Sequence, residues 1–582
     1  KFAVVGKVPV QLGRNTIVEG DVAVATTTKY PPIQMLSDFT WFDSALGTKV
    51  TNFETWLKTN HVGYDGRVSV NNPTELAAAQ KAGYGDYNGD GYIDEYDLLV
   101  KQYDKDNNKQ ISASEFTNPS TGQLYDPNLF KVVDDLNGPM FTGDPQRDGY
   151  NDNIVDNRDG YAKIRGTLTL AMTAAAWTSQ LGSSGSISDY IQGPITPTNP
   201  LDVPVTFGAD PTTMLDLDPS NFDQASQNLK AQSGSGGGTA SSSGGPSGVT
   251  IQNRALTTAD TAVTQITAPG NTSFHAGDVV LTSDFTAANA SLPANKKATG
   301  TNVTVAPVTE QTPYGSTTYQ AKYLRPVFKN VHFKNVQIPK GMNALFDGCT
   351  FDGVTYIDNQ RTITNSSGAS STDPNDGKTW AQTKISGTGS FSNNSVLIST
   401  GTPASGQMIT DGSQLGNNLR FNNCNFNGPL AGAYATAYTH FANSWEFTGA
   451  TNFNNQWIDP SSGQTTATIV APQVNIEMGS FTNPSQAPST MLGVVVAGNI
   501  DIRGTSYVDG SIIVTGDGAG NTTLGYFGPD DASSNPSALP TGGYGQLDIR
   551  YNPYRALPDG INIAIDVLPV SGSYSENVTL VN

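Results

Sequence analysis

The sequence predicts a mainly β protein carrying a smaller α+β region, with its C-terminal half wound as a right-handed parallel β-helix. Three observations predict this: acidic twelve-residue loops in the first third, a Gly/Ser-rich stretch near the middle, and an aromatic repeat beyond residue 325. Glycine supplies 61 of the 582 residues and charged residues only 14%, which is the balance of turn-rich β proteins. From these signals the chain divides into a β-rich N-terminal segment (1–60), a loop region (61–166), a β or irregular extension (167–232), a linker (233–249), a repeat domain (250–515) and a C-terminal β cap (516–582).

The N-terminal stretch 2–25 is rich in valine and other β-formers, and a short helix is expected over 74–81. Ala162-Lys-Ile-Arg-Gly-Thr-Leu-Thr-Leu alternates apolar and polar residues, as a half-buried strand does.

The loop region carries the most specific chemistry. Asp86-Tyr-Asn-Gly-Asp-Gly-Tyr-Ile-Asp-Glu-Tyr-Asp97 matches an EF-hand calcium loop at nearly every position. Asp86, Asn88, Asp90 and Asp97 offer side-chain oxygens at positions 1, 3, 5 and 12, and Asp94 stands at position 9. Tyr92 offers its carbonyl at position 7, Gly91 allows the sharp turn, and Ile93 is the apolar residue that ties the loop to a neighbour.

A second loop runs from Asp104 through Asp106, Asn108, Gln110 and Ser112 to Glu115, whose longer side chain can hold calcium with both oxygens. Lys109 stands where glycine is expected, so it must adopt a left-handed backbone, and weaker binding than in the first loop is expected. A third loop spans Asp148, Asp152, Asp156 and Asp159, with Tyr150 in place of a ligand at position 3. His61-Val-Gly-Tyr-Asp-Gly-Arg-Val-Ser reads as a loop that has lost its first ligand. Acidic Asp/Asn/Gly runs also occur as plain solvated turns, which is the alternative for all of these.

The first two loops start only 18 residues apart, leaving 98–103 as the whole connector. Two full helices do not fit there, which argues against a sensor lobe that opens to grip a target. The spacing is that of dockerin-like repeats, in which the ion fixes a structure; a dockerin-like module that plugs into a partner is a further reading, with Leu98, Leu99 and Tyr103 near such a face.

Beyond the Gly/Ser stretch 233–248, which acts as a flexible linker or a long exposed loop, the repeat begins. Phe328-Lys-Asn-Val-His-Phe recurs as Phe346-Asp-Gly-Cys-Thr-Phe and as Phe421-Asn-Asn-Cys-Asn-Phe, with looser echoes at 441–453, 476–481 and 496–514. Apolar side chains would stack inside successive coils with Asn or Gly at the bends; a sandwich or barrel produces similar alternation and is the alternative. Cys349 and Cys424 occupy the same slot of the repeat, where they are either a disulfide between neighbouring coils or two buried thiols.

Parallel β-helices are often polysaccharide lyases or glycosidases, so a carbohydrate-active enzyme or lectin is the competing class. Hydrolysis needs a pair of carboxylates about one bond. Asp347 and Asp352 become Asn422 and Asn427 in the later copy, and the four histidines have no partner pattern, so no catalytic constellation emerges. The two aspartates read as solvent-facing residues alternating with buried phenylalanines.

A net charge of −19 disfavours nucleic acid and anionic membranes as partners. No apolar run reaches the ~18 residues of a membrane span. The chain starts at Lys1, so an export signal or helix removed upstream, or a partial record, is expected.

Lys7-Val-Pro-Val-Gln-Leu-Gly-Arg-Asn-Thr-Ile-Val-Glu-Gly-Asp21, the calcium loops, Asp156-Asn-Arg-Asp-Gly-Tyr-Ala-Lys-Ile-Arg-Gly166 and Tyr551-Asn-Pro-Tyr-Arg-Ala-Leu-Pro-Asp-Gly560 together resemble large bacterial pilus-assembly, minor-pilin-like surface proteins. That family's hydrophobic N-terminal helix is absent from this sequence. The resemblance implies an exported ectodomain without catalytic residues. The expectation is therefore an extracellular, Ca2+-stabilised structural protein that assembles with copies of itself into a cell-surface filament or layer, or serves as an adhesin built on pilin-like parts, with surface glycans as further partners.

Overall fold

A computed structural model describes residues 2–13, 16–35, 46, 48–60, 68–125, 154–155, 162–182, 185–193, 195–211, 214, 217–234, 250–256, 265–267, 273–275, 279–281, 321–324, 327–340, 342, 344–359, 395–398, 417–435, 443–454, 469–478, 489–502, 506–516, 522–525 and 547–555. Among them, 23 strands join in one large sheet in which the strands run parallel.

Three ladders of side chains in register run through this sheet. The first passes from Phe328 through Phe346, Phe421 and Phe447 to Met478, Ile502, Leu524, Leu12 and Met35. The second passes from Phe333 through Phe351, Phe426 and Phe453 to Met491, Val508, Ile549, Val18 and Ile164. A third leads from Val336 through the buried Thr355 to Leu430, Ile469, Val495 and Ile512, and on to Val4, Val22, Leu168 and Val205. Nearly all of these side chains are buried in one core.

The aromatic repeat is what fills its upper part. Phe346 and Phe421 stack with centroids 5.0 Å apart, Phe351 and Phe426 at 4.7 Å, and each pair meets the other edge-on at 5.3 and 5.2 Å. Such geometries contribute about 0.5–1.5 kcal/mol per pair beyond area burial. The bends between strands alternate asparagine and glycine at positive φ: Asn330 (51°), Gly348 (63°), Asn423 (51°) and Gly449 (63°).

The N-terminal segment is not a unit of its own. Strands Phe2–Gly6, Val10–Leu12, Thr16–Glu19 and Asp21–Val24 belong to the same sheet as the repeat, and so do Thr522–Leu524 and Leu547–Arg550 from the expected cap. Leu547–Arg550 is hydrogen-bonded between Ser506–Val514 and Thr16–Glu19. The physical reason is closure of the core: Val4 and Val22 cover apolar surface on Ile512 and Leu168 that would otherwise face water. A charge ladder seals the junction, Arg165 lying 3.9 Å and Arg550 3.5 Å from Glu19, with Asp509 in register beyond Arg550.

Gly20 marks the place where distant stretches of the chain converge. Tyr551 donates its N–H to the Glu19 carbonyl at 2.8 Å, the Gly20 N–H donates to the Arg165 carbonyl at 3.0 Å, and Asp21 Oδ1 accepts from the Thr167 N–H at 2.8 Å. The quoted segments ending at Asp21, at Gly166 and starting at Tyr551 are therefore neighbours in space.

Along the third ladder the sheet is apolar on its outer side as well. Phe222 and Leu229, the latter on helix Asp223–Gln232, pack with Met214 and Leu217 against Val354, Tyr356, Val470 and Val496. That double burial explains the unbroken apolar run Val494-Val-Val-Ala497, which does not alternate. At the end bearing Val205–Phe207, helix Ala174–Leu181 closes the core with Trp177, ringed by Tyr30, Tyr190 and Phe207.

The described residues between Ile33–Met35 and Lys163–Arg165 lie outside the large sheet, and those from Leu46 to Leu124 build a second core of their own. It begins before residue 61. Thr48–Asn60 is a 13-residue helix, burying Val50, Phe53 and Leu57 at helical spacing, within the stretch expected to be β-rich.

Candidate metal centre

The acidic-loop region is a chain of loops joined by shared helices. Helix Pro73–Ala82 is capped by Asn72, whose side chain accepts from the Glu75 N–H, and stops at Gly83 with φ 91°. Helix Glu95–Tyr103 starts within the last residues of the first loop and directly precedes the second, so one helix does the work for which two were expected to lack room. Asp94 is its N-cap and Asp97 closes a capping box, while Asp104 is its C-cap.

In the first loop the backbone wraps onto its ligand residues. Gly89 and Gly91 donate their N–H groups to Asp86 at 2.6 and 3.1 Å, Asp90 to Asn88 Oδ1 at 3.0 Å, and Tyr92 to Asp90 Oδ1 at 2.8 Å. Asp97 accepts from Tyr87, Asn88 and Asp94 at 2.6, 3.0 and 2.9 Å.

The second loop repeats the pattern residue for residue. Asn107 and Lys109 donate to Asp104 at 2.7 and 2.9 Å, Asn108 to Asp106 Oδ1 at 3.0 Å, and Gln110 to Asn108 Oδ1 at 2.8 Å. Glu115 accepts from Lys105 and from both the N–H and the hydroxyl of Ser112, at 2.9, 2.9 and 2.8 Å. Positions 4 and 6 are left-handed in both loops: Gly89 (77°) and Gly91 (94°), then Asn107 (60°) and Lys109 (68°). Lys109 thus adopts the backbone its position demands.

The loops do not pair with each other. Ile93 pairs with Val68 of the upstream loop that lacks its first ligand, and Ile111 pairs with Val155 of the third. In each pairing the apolar eighth positions face one another, so the registers read from the sequence for all four loops agree. Asp148, Asp152, Asp156 and Asp159 themselves lie outside the described residues, as do residues 61–67.

The carboxylates are gathered differently in the two loops. Ligand oxygens of Asp104, Asp106 and Glu115 lie within 4.8 Å of one another, and no other acidic, histidine or cysteine trio does so among the described residues. The loop expected to be firmer is therefore the less tightly gathered. Asp97 is one methylene shorter than Glu115, while both oxygens of each are engaged by loop N–H groups. Burial, with Asp94 close by, pushes the Asp97 carboxyl up to about 8. For Glu115 burial acts the same way, but the N–H groups and hydroxyl bonded to it outweigh burial and hold it below its ordinary value. The oxygen donor set, with glutamate at position 12 of the second loop, fits a hard divalent cation.

Away from the loops, two arrangements were missed by sequence reading. Arg420, Glu446, Glu477 and Asp501 stand in register on neighbouring strands, three of them acidic, with Arg420 3.8 Å from Glu446. Unequal lengths of chain separate them, so no motif announces the column. His332 also has a partner, Asp352, which in turn accepts from Asn427 at 2.8 Å, with Asn454 bonded to Asn427 at 2.9 Å. Asp347 likewise accepts from Asn422 at 2.9 Å. Both aspartates are partly exposed members of polar columns.

Cys349 and Cys424 are free, fully buried thiols. Each donates to the carbonyl of a phenylalanine on the preceding strand, Phe328 and Phe346, at 3.4 Å, and Thr451 donates to Phe421 in the same way at 3.4 Å. The slot selects a small side chain with a donor.

Comparison with protein-family models, with curated proteins and with solved structures finds no match.

Proposed function

We propose that this is an extracellular, calcium-stabilised structural protein whose large parallel sheet is a right-handed β-helix, and that it assembles with copies of itself into a surface filament or layer. The observation that carries the reading is the pair of successive loops with matching ligand residues and left-handed positions 4 and 6. Calcium acts there as a staple: carboxylates that repel one another when bare are neutralised by the ion, and folding free energy rises with free calcium.

The helix between the loops is buried along most of its length, which supports a static joint over a switch. No helix among the described residues is long and apolar enough to cross a membrane. The pilin-like resemblance supplies the surface and self-assembly parts of the proposal.

The test is thermal unfolding of the full chain in calcium and in chelator, with electron microscopy of concentrated samples. A calcium-dependent rise in unfolding temperature and ordered assemblies are expected. Identical melts would overturn the staple, and monomers under calcium-replete, concentrated conditions would overturn assembly.

The second reading is a carbohydrate-active enzyme or lectin: the column Arg420, Glu446, Glu477 and Asp501 brings three acids into register, with Arg420, Glu446 and Asp501 buried. Release of reducing ends or unsaturated products from acidic polysaccharides would establish it.

A further inference from the structure

The two loops are linked by more than the chain between them. Tyr96 lies in the first turn of helix Glu95–Tyr103, between the first-loop residues Asp94 and Asp97, and its side chain is fully buried. Its hydroxyl donates to the Lys109 carbonyl at 2.7 Å. Lys109 is position 6 of the second loop, at φ 68°, and its N–H is held by Asp104 Oδ2 at 2.9 Å. One side chain from the ligand-bearing turn of the first loop therefore grips the strained residue of the second. Lys109 in turn extends its ammonium to Gly89, position 4 of the first loop, so closely that a Cβ there would meet it.

We infer that the loops bind calcium with positive coupling, and that Tyr96 is the positioning residue that transmits it. An ion in the first loop fixes Asp97 and the turn carrying Tyr96; the phenol then holds Lys109 in its left-handed conformation. The second loop binds without ordering that residue anew. A left-handed non-glycine residue is strained, and ordering it in advance is worth roughly tenfold in second-loop affinity. This rests on the calcium reading above and adds to it a route between sites whose β pairings lead away from each other. By linkage, occupancy of the second loop must tighten the first by the same factor.

The experiment is a thermodynamic cycle on the full chain, titrated with calcium and followed by the amide signals of Gly91 and Lys109, which report the two loops separately. The first loop is disabled by Asp86→Ala with Asp90→Ala, the second by Asp104→Ala with Asp106→Ala, each with Tyr96 and with Tyr96→Phe. Disabling the first loop is expected to weaken the second about tenfold when Tyr96 is present and less than twofold in the Tyr96→Phe background, with the reciprocal loss in the other arm. Equal second-loop affinity with and without the first loop would overturn the coupling, and equal losses in the Tyr96 and Phe backgrounds would overturn the tyrosine's role. If neither amide responds to calcium in the unaltered chain, the calcium reading itself falls, an outcome distinct from loss of coupling. Amide exchange in the Tyr96→Phe chain, compared at saturating calcium, separates lost coupling from misfolding.

Discussion

Gly20 sits directly beneath Tyr551: a Cβ added at position 20, where φ is 141°, would stand 2.7 Å from the Tyr551 Cβ and 3.0 Å from that of Ala3. Strands from the two ends of the chain close on each other here with no room for a side chain. Gly20→Ala is expected to destabilise the protein by about 2 kcal/mol or more, combining backbone strain with overpacking. Denaturant midpoints measure it, and a midpoint within error of the parent would show that the junction is looser than its geometry. Val4→Asp, which buries a carboxylate between Ile512 and Val22, should be at least as damaging.

The bends of the aromatic rungs couple each asparagine to the glycine that follows. Asn423 Oδ1 accepts from the Ala450 N–H at 2.9 Å and occupies the space where a Cβ on Gly449 would lie. Gly449→Ala must displace that amide as well as adopt a positive φ, with an expected cost of about 2–3 kcal/mol. Asn423→Gly in the same chain should recover the part due to the collision and none of the backbone part. Additive losses in a double-mutant cycle would refute the coupling.

Cys349 and Cys424 behave in this geometry as weak donors in a tight slot. Burial first, and then the neighbouring Cys349, raise the Cys424 thiol well above its ordinary value, so it stays protonated at neutral pH and unreactive. Native protein should give no rapid labelling by a disulfide reagent, and two thiols should appear on denaturation. Cys424→Thr, copying Thr451, should change stability by less than about 1 kcal/mol, whereas Cys424→Leu should lose about 1–3 kcal/mol through overpacking. Fast labelling of the folded chain would contradict the burial.

Which of these features can be read from sequence depends on how locally they are encoded. The loops are legible because their ligands recur at fixed positions within twelve residues, and Lys109 betrays its backbone by standing where glycine belongs. The phenylalanine stacks are legible because three copies share one spacing; the continuation through Phe447 and Phe453, spaced one residue wider, is only an echo. What escapes is register across long separations. Nothing near Val4 announces Ile512, and Arg420, Glu446, Glu477 and Asp501 align only once the connecting chain is looped out. Helix Thr48–Asn60 is a different kind of miss: Val50, Phe53 and Leu57 carry its periodicity, but the preceding β-rich stretch masks it.

Asp97 and Glu115, at the same position of successive loops, should give calcium binding different pH profiles in the neutral range, rising for the first loop and flat for the second. The Asp97 carboxyl is raised to about 8, chiefly by burial, so the ion-free native protein holds a proton there that the unfolded chain releases near 4. Stability from that proton is fully present below the unfolded value and is lost as pH rises through about 8; ion-free protein should therefore weaken over this window. Calcium must displace the same proton, so first-loop affinity should climb with pH up to about 8 and binding below it should release protons. Glu115 is held low, so the second loop keeps its carboxylate ready and its affinity should stay flat across the same range. Calorimetric titrations in buffers of different ionisation enthalpy, at pH 6 and above 8, count the protons. Equal proton release at both pH values would mean that Asp97 is already ionised before calcium arrives.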